Sequence, residues 1–293
     1  MKGKPVYKKE FRRILLTAAY IALVLAAAVM LEDSGVTDAF NPSKKGGVEL
    51  PIVMYHSVLA DPMRSNKFTI SPEAFEKDLL YIKEKGYKTV VVADLIAYVD
   101  KGTPLPDKPI MITFDDGYYN NLIYALPVLE KHGMKAVVSV VGQFADNFTK
   151  SMEHNPNYSH LTWEDIALLN ESGCFEVQNH SYAMHNYKGD RKGAERKRLE
   201  THDEYKNALK DDVMKMQARL KELSGVTATA FVYPFGIRSE EADEIFKEIG
   251  IRATLSSYEN INTITDADSL YSLCRYNRPG GMKTEDFMKK ILP

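Results

Sequence analysis

Two aspartates in succession, Asp115 and Asp116, close the apolar run "PIMITF" and are followed by a glycine in "TFDDG". Carboxylates at the end of a buried run need a partner, because they are rarely buried unless paired, hydrogen-bonded or bound to a metal. Histidines recur in the same situation: His56 follows "IVMY", His180 follows "FEVQN", and His185 stands five residues further on. "YPFG", Tyr233 to Gly236, follows "TAFV" in the same way. Taken singly, each has an ordinary structural explanation. An Asp-Asp-Gly commonly makes a turn, and a lone histidine at a strand end is more often a hydrogen-bonded structural residue than a ligand. Their recurrence at several strand ends points instead to one site. Two histidines and a carboxylate are a set that holds Zn²⁺ in hydrolytic sites while leaving positions for water and substrate. Asp116, His180 and His185 can supply it, and the remaining aspartate is then placed to act as general base. His132, His154, His160 and His202 fit helix ends or a polar loop and receive no chemical role.

The elements that must position these residues are legible from Pro51 onward. Short apolar runs, "IVMY", "KTVVV", "PIMITF", "KAVVSVV", "FEVQN", "TAFVY", "IRATLS" and "YSLCRY", alternate with helical patterns. This is the signature of a parallel α/β sheet or barrel. Ser71 with Pro72, Thr162 with Asp165, and Ser239 with Glu240 and Glu241 open helices. Gly86, Gly133, Gly173 and Gly250 stand where helices should stop. The longest helix is expected over about His202 to Leu223, with Leu209, Val213, Met216, Leu220 and Leu223 on its core face. In such barrels active-site residues cluster beyond the C-terminal ends of the strands, where the candidates above fall.

At 293 residues, 44% hydrophobic and 27% charged, the chain is long enough for one large domain with a substantial core. A net charge of −2 gives no basic excess, so nucleic acid is not an expected partner. Cys174 and Cys274 read as free thiols in apolar runs. Lys8, Lys9, Arg12 and Arg13 precede 18 uncharged residues from Ile14 to Leu31. As a helix that run spans about 27 Å, close to the hydrocarbon thickness of a membrane. The expectation is a cytoplasmic segment over 1–13, a transmembrane anchor over 14–31, a linker over 32–50, and an extracellular domain over 51–293. A cleaved signal, using the small residues Ala26 to Ala28, is the alternative.

Taken together, "TFDDG", "HSYAMH" and "YPFG" resemble successive motifs of the polysaccharide deacetylases, the NodB-homology family of metal-dependent carbohydrate esterases. The resemblance runs from about Ile52 to Arg278. It implies a distorted (β/α) barrel of about seven strands and removal of acetyl groups from N-acetylglucosamine polymers such as peptidoglycan or poly-N-acetylglucosamine. It also implies roles: Asp115 as the base that activates water, and Asp116, His180 and His185 as ligands of a divalent metal, zinc first, with cobalt or nickel as alternatives. The five-residue spacing of the histidines is wider than in many members and resembles the branch acting on biofilm poly-N-acetylglucosamine. That branch takes its general acid from an early "YH", which makes His56 in "MYHSV" the candidate, since no late leucine-x-histidine motif is present. Pro234 has no N–H, so the Phe235 amide is the expected oxyanion donor. The arginine that often precedes the third motif is missing, and Arg275 or Arg278 is the candidate replacement beside Asp115.

Two long segments, Gly142 to His160 and Asn186 to Glu200, are expected as loops on the active face. The second carries Lys188, Arg191, Lys192, Arg196, Lys197 and Arg198, a solvated charge cluster or a contact for an anionic polymer or lipid surface. Phe144, Phe148, Tyr158, Trp163 and Tyr187 are candidates for stacking on sugars or for packing the barrel edge. Competing functions are an O-acetyl esterase, a tethered carbohydrate-binding protein on an inactive deacetylase scaffold, and a non-haem iron oxygenase using the same ligand types. No protein partner is evident.

Overall fold

The computed structural model describes residues 46–292. The anchor or signal expected over 14–31, with its flanking segments up to residue 45, lies outside them. Among the described residues no helix is long and apolar enough to cross a membrane.

In chain order the strands are β1 (Val48–Leu50), β2 (Ile52–Tyr55), β3 (Ser57–Val58), β4 (Thr69–Ile70), β5 (Lys88–Val90), β6 (Pro109–Phe114), β7 (Ala136–Val140), β8 (Phe175–Asn179), β9 (Ala230–Val232), β10 (Ala253–Leu255), β11 (Asn262–Ile264) and β12 (Tyr276–Asn277). The main sheet is wholly parallel and runs β10-β9-β8-β7-β6-β2-β12. β5 lies off that path, beside the first half of β6 at Pro109–Met111, while β7 pairs with the second half at Thr113–Phe114. Two small pairs, β1 with β11 and β3 with β4, decorate it. The expected distorted barrel of about seven strands agrees with this curled sheet of seven strands on one path.

The helices are α1 (Pro72–Glu84), α2 (Val92–Lys101), α3 (Leu126–His132), α4 (Gly142–Ser151), α5 (Trp163–Glu171), α6 (His202–Ser224), α7 (Ala242–Glu248) and α8 (Thr284–Met288). Ser71 caps α1 by accepting from the Ala74 amide, and Thr162 with Asp165 forms a capping box on α5, as the sequence predicts. Ser239 does not cap α7. That helix begins at Ala242, and the Ser239 hydroxyl accepts from the Arg196 amide instead. Along α6 the core face is Leu209, Val213, Met216 and Leu220, whereas Leu223 is exposed. The expected loop at Gly142–His160 is helical as far as Ser151, because Phe144, Ala145 and Phe148 recur on one face and Ala145 is buried. Asn186–Glu200 has no helix or strand, as expected of a loop.

All six residues of β6 are buried, so both faces of the strand are covered. Successive side chains alternate between faces, and the core divides accordingly. Ile110, Ile112 and Phe114 pack with Phe75 and Leu79 of α1, Leu129 of α3 and Ile166 of α5. Met111 packs on the other face with Ile52, Val137, Val232 and Leu255. Thr113 and Asp115 continue the Met111 row, as Ser139 continues that of Val137. The inner face is therefore apolar toward the strand starts and polar toward the strand ends, which builds the site from strand periodicity alone.

"YSLCRY" does not form one strand. Leu273 bridges to Leu255 of β10, and only Tyr276–Asn277 pair with Val53 and Met54 of β2. The segment thus spans the gap between the last and first strands of the ring, and Arg275 sits inside it. Three residues on, Arg278 is held by Asp78 of α1 through Nε–Oδ2 at 2.7 Å and Nη2–Oδ1 at 3.1 Å. Tyr55 Oη and Thr284 Oγ1 donate to the same carboxylate at 3.0 and 2.7 Å. Both charged side chains are almost fully buried, and removing one partner from such a pair leaves an uncompensated charge. Arg278→Met should therefore lose about 3–5 kcal/mol of unfolding free energy. Pairing it with Asp78→Leu should recover much of the loss, as read by the urea midpoint at unchanged slope. A midpoint unmoved by Arg278→Met would show that the pair does not lock the closing segment.

Candidate active site

Four strand ends converge on one cluster. Asp115 and Asp116 follow β6, His180 follows β8, His56 follows β2, and the turn holding Phe235 follows β9. Asp116 has φ of 70°, in the left-handed region where a non-glycine residue is strained, and Gly117 follows at 64°. A Cβ on Gly117 would stand 2.8 Å from Val140 Cγ1, so this turn needs glycine for both its dihedral and its space. The turn directs the Asp116 carboxylate to two imidazoles: Oδ1 lies 3.3 Å from His180 Nε2 and 2.9 Å from His185 Nε2.

The two histidines are held differently. His180 is 2% exposed, and its Nδ1 donates to the Val232 carbonyl at 2.8 Å. A carbonyl only accepts, so Nδ1 carries a proton and Nε2 is the nitrogen turned to the cluster: in the protonated ring it donates to Asp116, and in the neutral ring it offers a lone pair to a metal. His185 is fixed by packing, with ring centroids 4.4 Å from Phe235 and 5.4 Å from Phe144. β9 and its turn therefore steady both rings. One ligand atom from each of Asp116, His180 and His185 lies within 4.8 Å of the others. Two imidazole nitrogens and one carboxylate oxygen converging in this way fit a borderline-soft divalent cation such as zinc. Burial alone would raise the Asp116 carboxyl. Its hydrogen bonds to His180 and His185 outweigh that effect and hold it well below the usual carboxylate range.

Asp115 makes its hydrogen bonds to Arg275 and Ser139 rather than to these histidines. The guanidinium meets it in a fork, Nη1–Oδ1 at 2.7 Å and Nη2–Oδ2 at 2.8 Å. Ser139 Oγ donates to Oδ1 at 3.1 Å. Arg275 also donates from Nε to the Ser256 carbonyl at 2.7 Å, which fixes the plane of the fork. Burial opposes ionisation of Asp115, but the Arg275 charge leads the effects that hold its carboxyl at about 2. Of the two candidate arginines, Arg275 takes Asp115 and Arg278 takes Asp78.

His56 follows β2 beside the same strand ends, and its imidazole feels the charges of Asp115, Asp116, Arg275 and His180. Burial lowers its pKa, and the two carboxylates partly oppose that. Its Nδ1 is buried without a hydrogen-bond partner. Phe235 has φ of 60° and a side chain 41% exposed beside His185 and Tyr187.

His160, given no role from sequence, donates from Nδ1 to the Asp116 carbonyl at 2.9 Å and stacks on Tyr118 at 4.7 Å. It thereby braces the strained turn. Nothing in its neighbourhood "NYSHLT" distinguishes it from a polar loop histidine. Of the aromatic candidates, Phe144 and Phe148 pack against His160. Trp163 is buried and donates from Nε1 to Asp146, whereas Tyr158 and Tyr187 are exposed.

The model of the polysaccharide deacetylase family matches residues 102–254, more than half of the chain. That span contains Asp115, Asp116, His180, His185 and Phe235, while His56 and Arg275 come from outside it. The poly-beta-1,6-N-acetyl-D-glucosamine N-deacetylase of Escherichia coli (strain K12) is 22% identical over 260 residues, which cover 82% of this chain and 38% of that protein. The chain therefore spans about two-fifths of that relative's length. Among solved structures, IcaB from Ammonifex degensii superposes with a TM-score of 0.64 at 25% identity, covering 80% of this chain and 94% of that one. A de-N-acetylase from Aggregatibacter actinomycetemcomitans gives a TM-score of 0.68 at 22% identity, covering 83% of this chain and all of that one. On the match through the heart of its barrel, the chain belongs to the polysaccharide deacetylase family.

Proposed function

We propose that this protein is a metal-dependent N-deacetylase acting on an extracellular N-acetylglucosamine polymer, of the poly-β-1,6-N-acetylglucosamine type. The observation that carries this reading is the division of labour within one Asp-Asp pair. Asp116 is shared by two imidazoles, and Asp115 is held by an arginine fork. The similarity to the E. coli enzyme over most of the chain, and the five-residue spacing of His180 and His185, support the substrate class. An uncharged run behind basic residues at 14–31 supports a location outside the cell, anchored or released.

A divalent cation, zinc in this proposal, held by Asp116, His180 and His185 would supply Lewis-acid polarisation of the acetyl carbonyl and of water. The remaining steps belong to the chain. Asp115, ionised at rest, takes a proton from the attacking water as the C–O bond forms, and Arg275 keeps the accepting oxygen aimed. The Phe235 amide donates to the oxyanion. His56 gives a proton to the sugar nitrogen as the C–N bond breaks, leaving acetate and a free amine. Burial disfavours the charged form of His56, so the proton it gives up is the one Asp115 took from water, passed on within the cycle, which returns both groups to their starting states.

Acetate release by the full-length chain on poly-β-1,6-N-acetylglucosamine oligomers, peptidoglycan and acetylxylan, with and without added Zn²⁺, tests the reading. Metal-dependent release from the first is expected, while release from acetylxylan alone would replace it with an O-acetyl esterase. Asp116→Ala should abolish both zinc binding and turnover. Asp115→Asn should keep zinc and lose about 10²–10⁴-fold in rate, the usual worth of a positioned base. Near-normal turnover of Asp115→Asn with zinc bound would show that another group takes the proton. Arg275→Met should slow turnover and lower the unfolding midpoint together, and a change in only one of these would separate aiming from structural pairing.

A further inference from the structure

His180 and His185 are anchored with very different security. His180 is tied by its amide to the Val140 carbonyl at 3.0 Å and by its ring to the Val232 carbonyl at 2.8 Å. His185 has no such ring anchor among the described residues, since its polar partner is Asp116 itself. Beyond the packing of its ring on Phe235 and Phe144, its position comes from the backbone of the four residues between the histidines. Ser181 within that stretch has φ of 78°, so the chain there follows a path that only tethering sustains.

Every backbone amide of the stretch is bonded to a side-chain oxygen. Ser181 N donates to Asn179 Oδ1 at 2.7 Å, and Met184 N to Ser181 Oγ at 3.1 Å, both local contacts. Tyr182 N and Ala183 N donate to the two oxygens of Asp212, at 2.7 and 2.8 Å. Asp212 lies on α6, about thirty residues away, one position from the core residue Val213. It is the only one of these acceptors that ties the stretch to another element. From the opposite side Ser181 and Tyr182 accept from the amides of Gly142 and Gln143, at 3.1 and 2.8 Å. The Tyr182 hydroxyl donates to Asp146 of α4 at 2.6 Å. A Cβ on Gly142 would meet Tyr182 Cδ2 at 2.5 Å, so the ring is wedged against the start of α4.

We propose that Asp212 is a positioning residue: through the Tyr182 and Ala183 amides it sets where His185 stands relative to His180 and Asp116. The proposal rests on the metal-site reading above and extends it to a residue outside every motif. A carboxylate suits the task because each oxygen can accept from one amide. An asparagine would turn an NH₂ toward one of the two donors. Residues that orient metal ligands from behind commonly change metal affinity by about 10- to 100-fold when replaced.

The test compares the full-length chain with Asp212→Asn, Asp212→Glu and Val213→Ala by Zn²⁺ titration calorimetry, Co²⁺ absorption spectroscopy and amide hydrogen exchange. Asp212→Asn should weaken Zn²⁺ binding about 10- to 100-fold, alter the Co²⁺ bands, and speed exchange at Tyr182 and Ala183. Asp212→Glu, which keeps both acceptor oxygens, should recover part of each effect. Val213→Ala, which trims the core beside Asp212, should lower the melting temperature without moving affinity or bands. Wild-type affinity and spectrum in Asp212→Asn would overturn the proposal, as would equal weakening by Val213→Ala. If the wild type took up neither ion, the metal reading would fall, and exchange alone would decide the clamp. Faster exchange confined to Tyr182 and Ala183 would sustain it, and unchanged exchange would overturn it.

Discussion

The interaction on which the rest depends is the fork between Arg275 and Asp115. Both side chains are buried, at 0% and 4% exposure, and they lie 160 residues apart in the sequence. Taking two charges out of water costs several kcal/mol per ion, and only good geometry with additional hydrogen bonds repays it. Ser139, Thr113 and the Ser256 carbonyl supply those bonds. The pair is thus less a source of stability than a condition. Asp115 can end a buried strand only where the Leu273–Asn277 segment has closed the ring and brought Arg275 inside. Closure and the burial of the Asp115 carboxylate are specified by one contact.

Much of this was legible in the sequence, and the reasons differ by residue. Strand ends bearing Asp115, Asp116, His56 and His180 stood out because polar groups following apolar runs violate the burial pattern. Thr162 with Asp165, and Ser71 with Pro72, announced helix starts through chemistry that acts within a few residues. Long-range partnerships left no such mark. Arg275 and Arg278 look alike in "RYNR", and only the fold assigns one to Asp115 and the other to Asp78. His160 and Asp212 reach the site through backbone groups of other residues, so their identities carry no spacing signal. The helix α4 was hidden by its polar content and glycine start, and its short apolar face found a partner only in the folded edge.

The two histidines show how a fold can widen a motif without loosening it. Five residues from His180 to His185 give the chain slack that a tighter loop would not have. Here that slack is taken up by side-chain acceptors on every intervening amide and by Tyr182 wedged at Gly142. Ordering these residues costs on the order of 1–2 kcal/mol each in backbone entropy, which local bonds and the Asp212 contact offset. The result is a histidine positioned by its loop and by aromatic packing, with no hydrogen bond to its ring from behind.

The same economy of charge frames the chemistry proposed for Asp115. A carboxylate held at about 2 holds essentially no proton at rest, so it is always free to accept one. The arginine that makes it available also makes it a weak base, and a proton it receives cannot stay. His56, which burial keeps largely neutral, faces the same charges and has an unpartnered buried Nδ1. A weak base that releases its proton and an imidazole that burial biases toward its neutral form are complementary within a single turnover. On this view the acid is charged by the reaction, and the site needs no imidazolium waiting beside Arg275, where two positive charges would repel.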